Sequence, residues 1–142
     1  MAIATILKDK GGSIIAAAPS QTVAEVVALL CTHRIGAVIV MEDGEVVGVL
    51  SERDVVRGLN EQGAAILQRT AREIMTTEVI TVAPSESVTA ALSRMTRRRI
   101  RHLPVLDGGE VRGVVSIGDL VKARIDEAVR EAESLKDYIA HA

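Results

Sequence analysis

Apolar residues in this chain come in short blocks whose spacing switches between continuous runs and a period of three to four. Residues 14–17 are a short apolar run that predicts a strand, closed by Pro19. Ser20 or Thr22 then caps a helix on which Val23, Val26, Val27 and Leu30 recur at helical spacing. Gly36 introduces a continuous apolar strand over residues 37–41. Glu42-Asp43-Gly44-Glu45 supplies hairpin chemistry, and residues 46–50 form the returning strand. Ser51 caps a helix that starts at Glu52, with Asp54 in its first turn.

The same succession then recurs. Residues 14–56 lie on residues 79–121 at a constant offset of 65 without a gap, and 16 of the 43 positions are identical. Among them are Pro19 and Pro84, Ile35 and Ile100, Gly48 and Gly113, Ser51 and Ser116, and Asp54 and Asp119. A tandem duplication explains that register, so the two halves share a fold. The second copy predicts a helix over about residues 87–97, strands over 103–106 and 111–115, a turn at Asp107-Gly108-Gly109, and a cap at Ser116. Pro104 inside a strand implies an edge or a bulge, because it cannot donate a ladder hydrogen bond. The fold class is α/β (α+β): two β-α-β-β-α repeats, each small for a core of its own, packed with pseudo-two-fold symmetry. The cleft between such halves is a natural ligand site.

Residues 60–70 read as a polar joint containing Gly63. Beyond Ser116 the pattern stays helical, with Leu120, Ile125, Ala128, Ala132, Leu135 and Ile139 as an apolar stripe. So long a helix needs a partner surface, either across the first repeat or in a dimer. The resulting units are a first repeat over 8–68, a second over 72–127 and a helical extension over 128–142.

Composition narrows the picture. Nearly half of the 142 residues are hydrophobic, yet Phe and Trp are absent and Tyr138 is the lone aromatic, so β-branched and aliphatic residues must fill the core. A formal charge of -2 and the missing stacking platforms argue against nucleic acid as a partner. Cys31 sits in the apolar run of the first helix and reads as a buried free thiol. No stretch is long and apolar enough to span a membrane, and Lys8, Asp9 and Lys10 stand where a signal-peptide core would lie. A soluble cytoplasmic protein with no membrane partner is expected.

Two signals bear on chemistry. Gly-x-x-Ser-x-x-Asp closes both hairpins, at Gly48, Ser51, Asp54 and at Gly113, Ser116, Asp119. Ser followed three residues later by an acid is a capping box; a carboxylate there also suits the two hydroxyls of a ribose. Both readings stand on the pattern alone. The second signal is the run Arg97-Arg98-Arg99-Ile100-Arg101-His102, which suits phosphate, although arginine also favours a solvated helix end. Arg101 and His102 differ from their counterparts Gly36 and Ala37, so the two sites are not equivalent. Arg53, matched by Gly118, can reach a phosphate across the pseudo-two-fold or pair locally with Glu52 or Asp54. His33 and His141 read as surface groups. His102, Ser116 and Asp119 imitate a catalytic triad on paper, but a cap serine is poorly placed as a nucleophile, so no enzyme activity is expected.

With these motifs assembled, the chain resembles a pair of CBS domains, the tandem module named for cystathionine β-synthase. The resemblance covers nearly the whole length and rests on Ile74 to Ser85 (IMTTEVITVAPS), Ile100-Arg-His-Leu-Pro-Val with its Pro104, and the Gly-Val-x-Ser-x-x-Asp ends. Free-standing bacterial two-repeat proteins are similar. The resemblance implies two clefts for AMP, ADP, ATP, S-adenosylmethionine or NAD(H) as a regulatory ligand. It implies ribose on Asp54 and Asp119 with Ser51 and Ser116 in support, and adenine framed by Gly12, Ser13, Thr77 and Val79. Phosphate falls to Arg99, Arg101 and His102, assisted by Arg53 and Lys10, while Gly36-Ala37 lacks the basic pair. It further implies a homodimer, and an output through an unidentified target protein. The competing expectation is a ligand-independent interaction module that dimerises or docks on that target.

Overall fold

In the computed structural model, which describes residues 1–11 and 14–141, the chain opens with α1 (Ile3–Lys10). The first repeat follows as β1 (Ala16–Ala17), α2 (Val23–His33), β2 (Ala37–Glu42), β3 (Glu45–Ser51) and α3 (Glu52–Gln62). A 3-10 turn (Gly63–Gln68) and α4 (Ala71–Ile74) lead to α5 (Val88–Arg98), β4 (His102–Asp107), β5 (Glu110–Ser116) and α6 (Ile117–Ala140). Helices begin where the sequence places side-chain caps: Thr22, Ser51, Ser87 and Ser116 each accept a hydrogen bond from the backbone three residues on.

In the first repeat β1 runs parallel to β2, and β2 pairs antiparallel with β3. The second has the antiparallel pair β4–β5, but its first strand is reduced to a single parallel bridge between Val82 and Val105. Pro104 is the reason. It stands where Ile39 stands in the first repeat, and its carbonyl accepts from the Val82 N–H at 3.0 Å. Its nitrogen faces the same flank with no proton to give, so the parallel ladder cannot extend. The bulge beside it, between Val105 and Leu106, has a counterpart between Val40 and Met41 and therefore belongs to the repeat.

Each repeat is completed by the segment that precedes the other. α1 places Ile3 and Ile6 in the second core with Val88, Met95, Leu103 and Leu120. Ile66 and Ala71 enter the first core with Val23, Val26, Val40 and Leu50. The backbone contacts match: Ile3 N–H donates to the Glu86 carbonyl at 2.9 Å and Ala71 N–H to the Gln21 carbonyl at 2.7 Å. The motif glycines make room for these crossing segments. A Cβ on Gly113 would stand 2.9 Å from Leu7, and one on Gly48 would stand 2.5 Å from the Met75 sulfur.

Two expectations change, and of the two partner surfaces left open for the last helix one falls away. The joint at 60–70 is not a polar connector, because it folds into the 3-10 turn and buries Ile66 completely. Cys31 is exposed, since Val23, Val26 and Leu30 form the buried stripe of α2 and Cys31 falls beside it. The C-terminal helix packs on α1, α5 and β5 rather than across the first repeat, and beyond Glu127 its described residues are exposed. No helix among the described residues is long and apolar enough to cross a membrane.

Candidate functional site

Both Gly-x-x-Ser-x-x-Asp ends form complete capping boxes. Ser51 Oγ accepts from the Asp54 N–H at 3.3 Å, while Asp54 Oδ2 accepts from the Ser51 N–H at 2.9 Å. In the second repeat the corresponding distances are 3.1 and 2.9 Å. Each box uses one carboxylate oxygen and leaves the second for other contacts. The Ser116 hydroxyl thus serves as a cap beside its strand partner His102.

The opposite wall of each site is a helix end. α2 and α5 both stop at an arginine in the left-handed region, Arg34 (φ 53) and Arg99 (φ 54). The next N–H reaches back five residues: Ile35 to Leu30 and Ile100 to Met95, both at 3.1 Å. This is the Schellman closure, here without glycine, at a conformational cost of about 1 kcal/mol or more per arginine. The chain is then tied to the last helix of its own repeat, Glu52 N–H donating to Gly36 at 2.9 Å and Ile117 N–H to Arg101 at 2.8 Å.

The repeats place each cap opposite the other repeat's helix end, which creates two cavities. One, of about 360 Å³, is bounded by Ser51, Arg53 and Asp54, with Val79, Arg99, Arg101 and His102 facing them. The other, of about 380 Å³, is bounded by Ser116 and Asp119, with Lys10, Gly36 and Ala37 facing them. The basic run therefore shares a cavity with Asp54, not with the aspartate of its own repeat. Arg53 acts across the pseudo-two-fold, donating to the Arg99 carbonyl at 3.0 Å. Thr77 and Pro104 do not line either cavity, whereas Thr76 lines the first. Gly12 and Ser13 lie outside the described residues.

His102 borders both cavities. A Cβ on Gly36 would stand 2.9 Å from its Nε2, so the absent side chain at Gly36 is the space the ring occupies. Burial lowers the His102 pKa; Arg101 and Lys10 act in the same sense, and Glu52 and Asp119 oppose them. At Asp119 burial pushes the carboxyl upward, but the hydrogen bond from Lys10, the Ser116 backbone and the Lys10 charge outweigh it, and the net shift is downward. Lys10 Nζ lies 2.8 Å from Asp119 Oδ2 and 2.9 Å from the Val114 carbonyl.

Sequence reasoning missed Arg57 and Thr76 in the first cavity and His33 and Arg34 in the second. Arg34 was open to discovery, since it matches Arg99 in the repeat alignment. Thr76 was not, because its partner depends on the crossing of segments between repeats. Among the described residues no cluster of His, Cys, Asp or Glu is arranged to hold a metal ion.

Comparison with known proteins gives the following. The CBS domain family matches residues 12–61 and 71–126. A mitochondrial CBS domain-containing protein of Arabidopsis thaliana, CBSX3, is 36% identical over 146 residues, covering 96% of this chain and 71% of that protein. A crystal structure of a CBS-domain-containing protein from Agrobacterium tumefaciens superposes with a TM-score of 0.85 at 37% identity, covering 87% of this chain and 99% of the other. Two further similar structures hold ligands. The Pyrobaculum aerophilum protein PAE2072, complexed with AMP, has a TM-score of 0.74 at 29% identity over 84% of this chain and 89% of that one. The CBS domain pair of MJ0100, in complex with 5'-methylthioadenosine and S-adenosylmethionine, has a TM-score of 0.80 at 25% identity over 89% of this chain and 98% of that one.

Proposed function

Because this chain belongs to the CBS-domain family and carries two copies of its repeat, we propose that it is a non-catalytic regulatory module that binds adenine nucleotides. The observation that carries the proposal is the pairing in each cavity of a capping-box aspartate in the first helical turn of one repeat with the helix end of the other. An anionic, ribose-bearing ligand would bridge the repeats, so its binding would bias their relative packing and transmit a signal. The adenine ligands in the structures of PAE2072 and MJ0100 support the class. AMP, ADP, ATP and NAD(H) all fit it.

Calorimetric titration of the purified protein with AMP, ATP, NAD, NADH and S-adenosylmethionine tests this reading. Saturable binding of at least one of them is expected, weakened at least tenfold by Arg101→Ala or Asp119→Asn. Folded, nucleotide-free protein that gives no heat with any of them sinks it. A second reading, a docking module independent of ligand, draws on the exposed apolar residues of α6, among them Ile125, Leu135 and Ile139. We further propose that this face closes a homodimer, leaving the cavities to govern contact with a target protein.

A further inference from the structure

The two cavities are equipped for different parts of a nucleotide. In the first, the carboxylate is already engaged. Asp54 is 6% exposed. Its Oδ2 accepts from the Ser51 N–H and hydroxyl at 2.9 and 3.1 Å. Its Oδ1 accepts from Arg57 at 3.3 Å and from the Thr76 hydroxyl at 3.2 Å. A diol could donate to Asp54 only by displacing Arg57 and Thr76. What this cavity offers freely is positive charge. Arg98 and Arg101 are about half exposed, and their carboxylate partners Glu78 and Glu52 stand at 3.6 and 4.0 Å. Such loose surface pairs are worth little, so both guanidiniums can exchange them for phosphate oxygens.

The second cavity is the reverse. Asp119 retains 27% side-chain exposure. Its Oδ2 holds the Ser116 N–H and Lys10, while Oδ1 accepts no hydrogen bond from the described residues. The Lys10 pair also keeps the carboxyl ionised, and hence a pure acceptor, at neutral pH. Lys10 is itself occupied by Asp119 and Val114, which leaves Arg34 as the one arginine of this lining, charge enough for a single phosphate but not for a chain. Ile14, Ile15 and Ile35 supply apolar wall, and the His102 ring fills the space beside Gly36.

Building on the nucleotide reading above, we infer that the cavities bind two chemically distinct ligands at once. The Asp119 cavity takes a nucleoside carrying at most one phosphate, read through its diol. The Asp54 cavity takes a polyphosphate chain, read through its charge.

Adenosine and inorganic tripolyphosphate separate these functions, since the first has no phosphate and the second no diol. Titrated calorimetrically into the full chain, each binds, and adenosine binds with unchanged affinity after tripolyphosphate saturation. Asp119→Asn weakens adenosine at least tenfold and leaves tripolyphosphate within twofold. The double substitution Arg98→Ala, Arg101→Ala does the opposite; both sites are exposed, so the fold tolerates it. Raising the salt weakens tripolyphosphate and spares adenosine. Mutual exclusion of the two probes, or equal weakening of both by either variant, overturns the division while leaving nucleotide binding in place. Failure of adenosine, AMP and ATP alike to bind overturns the nucleotide reading and the division with it.

Discussion

His102 is where the two cavities touch, and its chemistry makes the interface between repeats sensitive to pH. Burial holds its pKa below the ordinary imidazole value, reinforced by Arg101 and Lys10 and opposed by Glu52 and Asp119. The unfolded chain takes up this proton near pH 6.5, whereas the folded protein resists it until the pH is lower. Stability from this residue is therefore complete above that value and falls as the pH drops through the interval down to the folded pKa. Asp119, whose pKa is depressed, acts in a separate window: its contribution is present above the ordinary carboxylate value near 4 and is lost as the pH falls through the folded pKa. Urea unfolding between pH 8 and pH 5 should show declining stability in wild type and a flatter profile in His102→Gln. An unchanged slope in the variant would remove His102 from this role.

At the scale of elements, the tight contact is between α3 and the 3-10 turn that follows it. Gly58 lies inside α3, where alanine would ordinarily be favoured by about 1 kcal/mol. Here a Cβ at Gly58 would fall 1.5 Å from the Cδ1 of Ile66, which is completely buried. Overpacking should reverse the preference, so Gly58→Ala destabilises by about 1–3 kcal/mol. Ile66→Val removes the clashing methyl and costs about 1 kcal/mol alone. The double variant should be more stable than the sum of the two predicts, measured by urea denaturation as a double-mutant cycle. Additive losses would mean that Ile66 does not set the identity of Gly58.

This contact also marks how far the sequence could be read. The hairpins, caps and register of both repeats were legible, because apolar spacing and turn residues act within a few positions. Ile66 falls in a stretch that reads as a polar joint, because its partner surface is created only when the turn folds back. α1 carries Ile3, Ile6 and Leu7 at helical spacing, yet nothing local says that it docks on the second repeat. Its equivalence to α4 was hidden as well: the crossing segments correspond at an offset of 68, against 65 for the repeats. For the site, both aspartates and the arginine run were visible. Which aspartate faces the arginines depends on the pseudo-two-fold, so it was not. The same limit applies to the engagement of Asp54 by Arg57 and Thr76.

On the scale of the whole molecule, α6 divides into a half that packs on the fold and a half whose described residues are exposed. Leu120 is fully buried, while Val121, Ile125, Leu135, Tyr138 and Ile139 are each more than 40% exposed. Val121, Ile125, Ala128, Ala132, Leu135 and Ile139 follow one another at alternating steps of four and three, the spacing of a two-stranded coiled-coil seam. Glu131 and Lys136 flank that seam at positions where opposite charges meet between parallel helices. A terminal stretch of this length is marginal as an isolated helix in water. A second copy of the chain would supply the missing surface with the same apolar spacing and matched charges. Light scattering on the purified protein should accordingly give twice the 15.1 kDa chain mass, with a thermal midpoint that rises with concentration. Leu135→Glu with Ile139→Glu should yield monomers of reduced helicity. Neither residue lines the two described cavities, so nucleotide affinity should persist in the monomer. A wild-type protein that is monomeric at tens of micromolar would leave the α6 seam without its second copy.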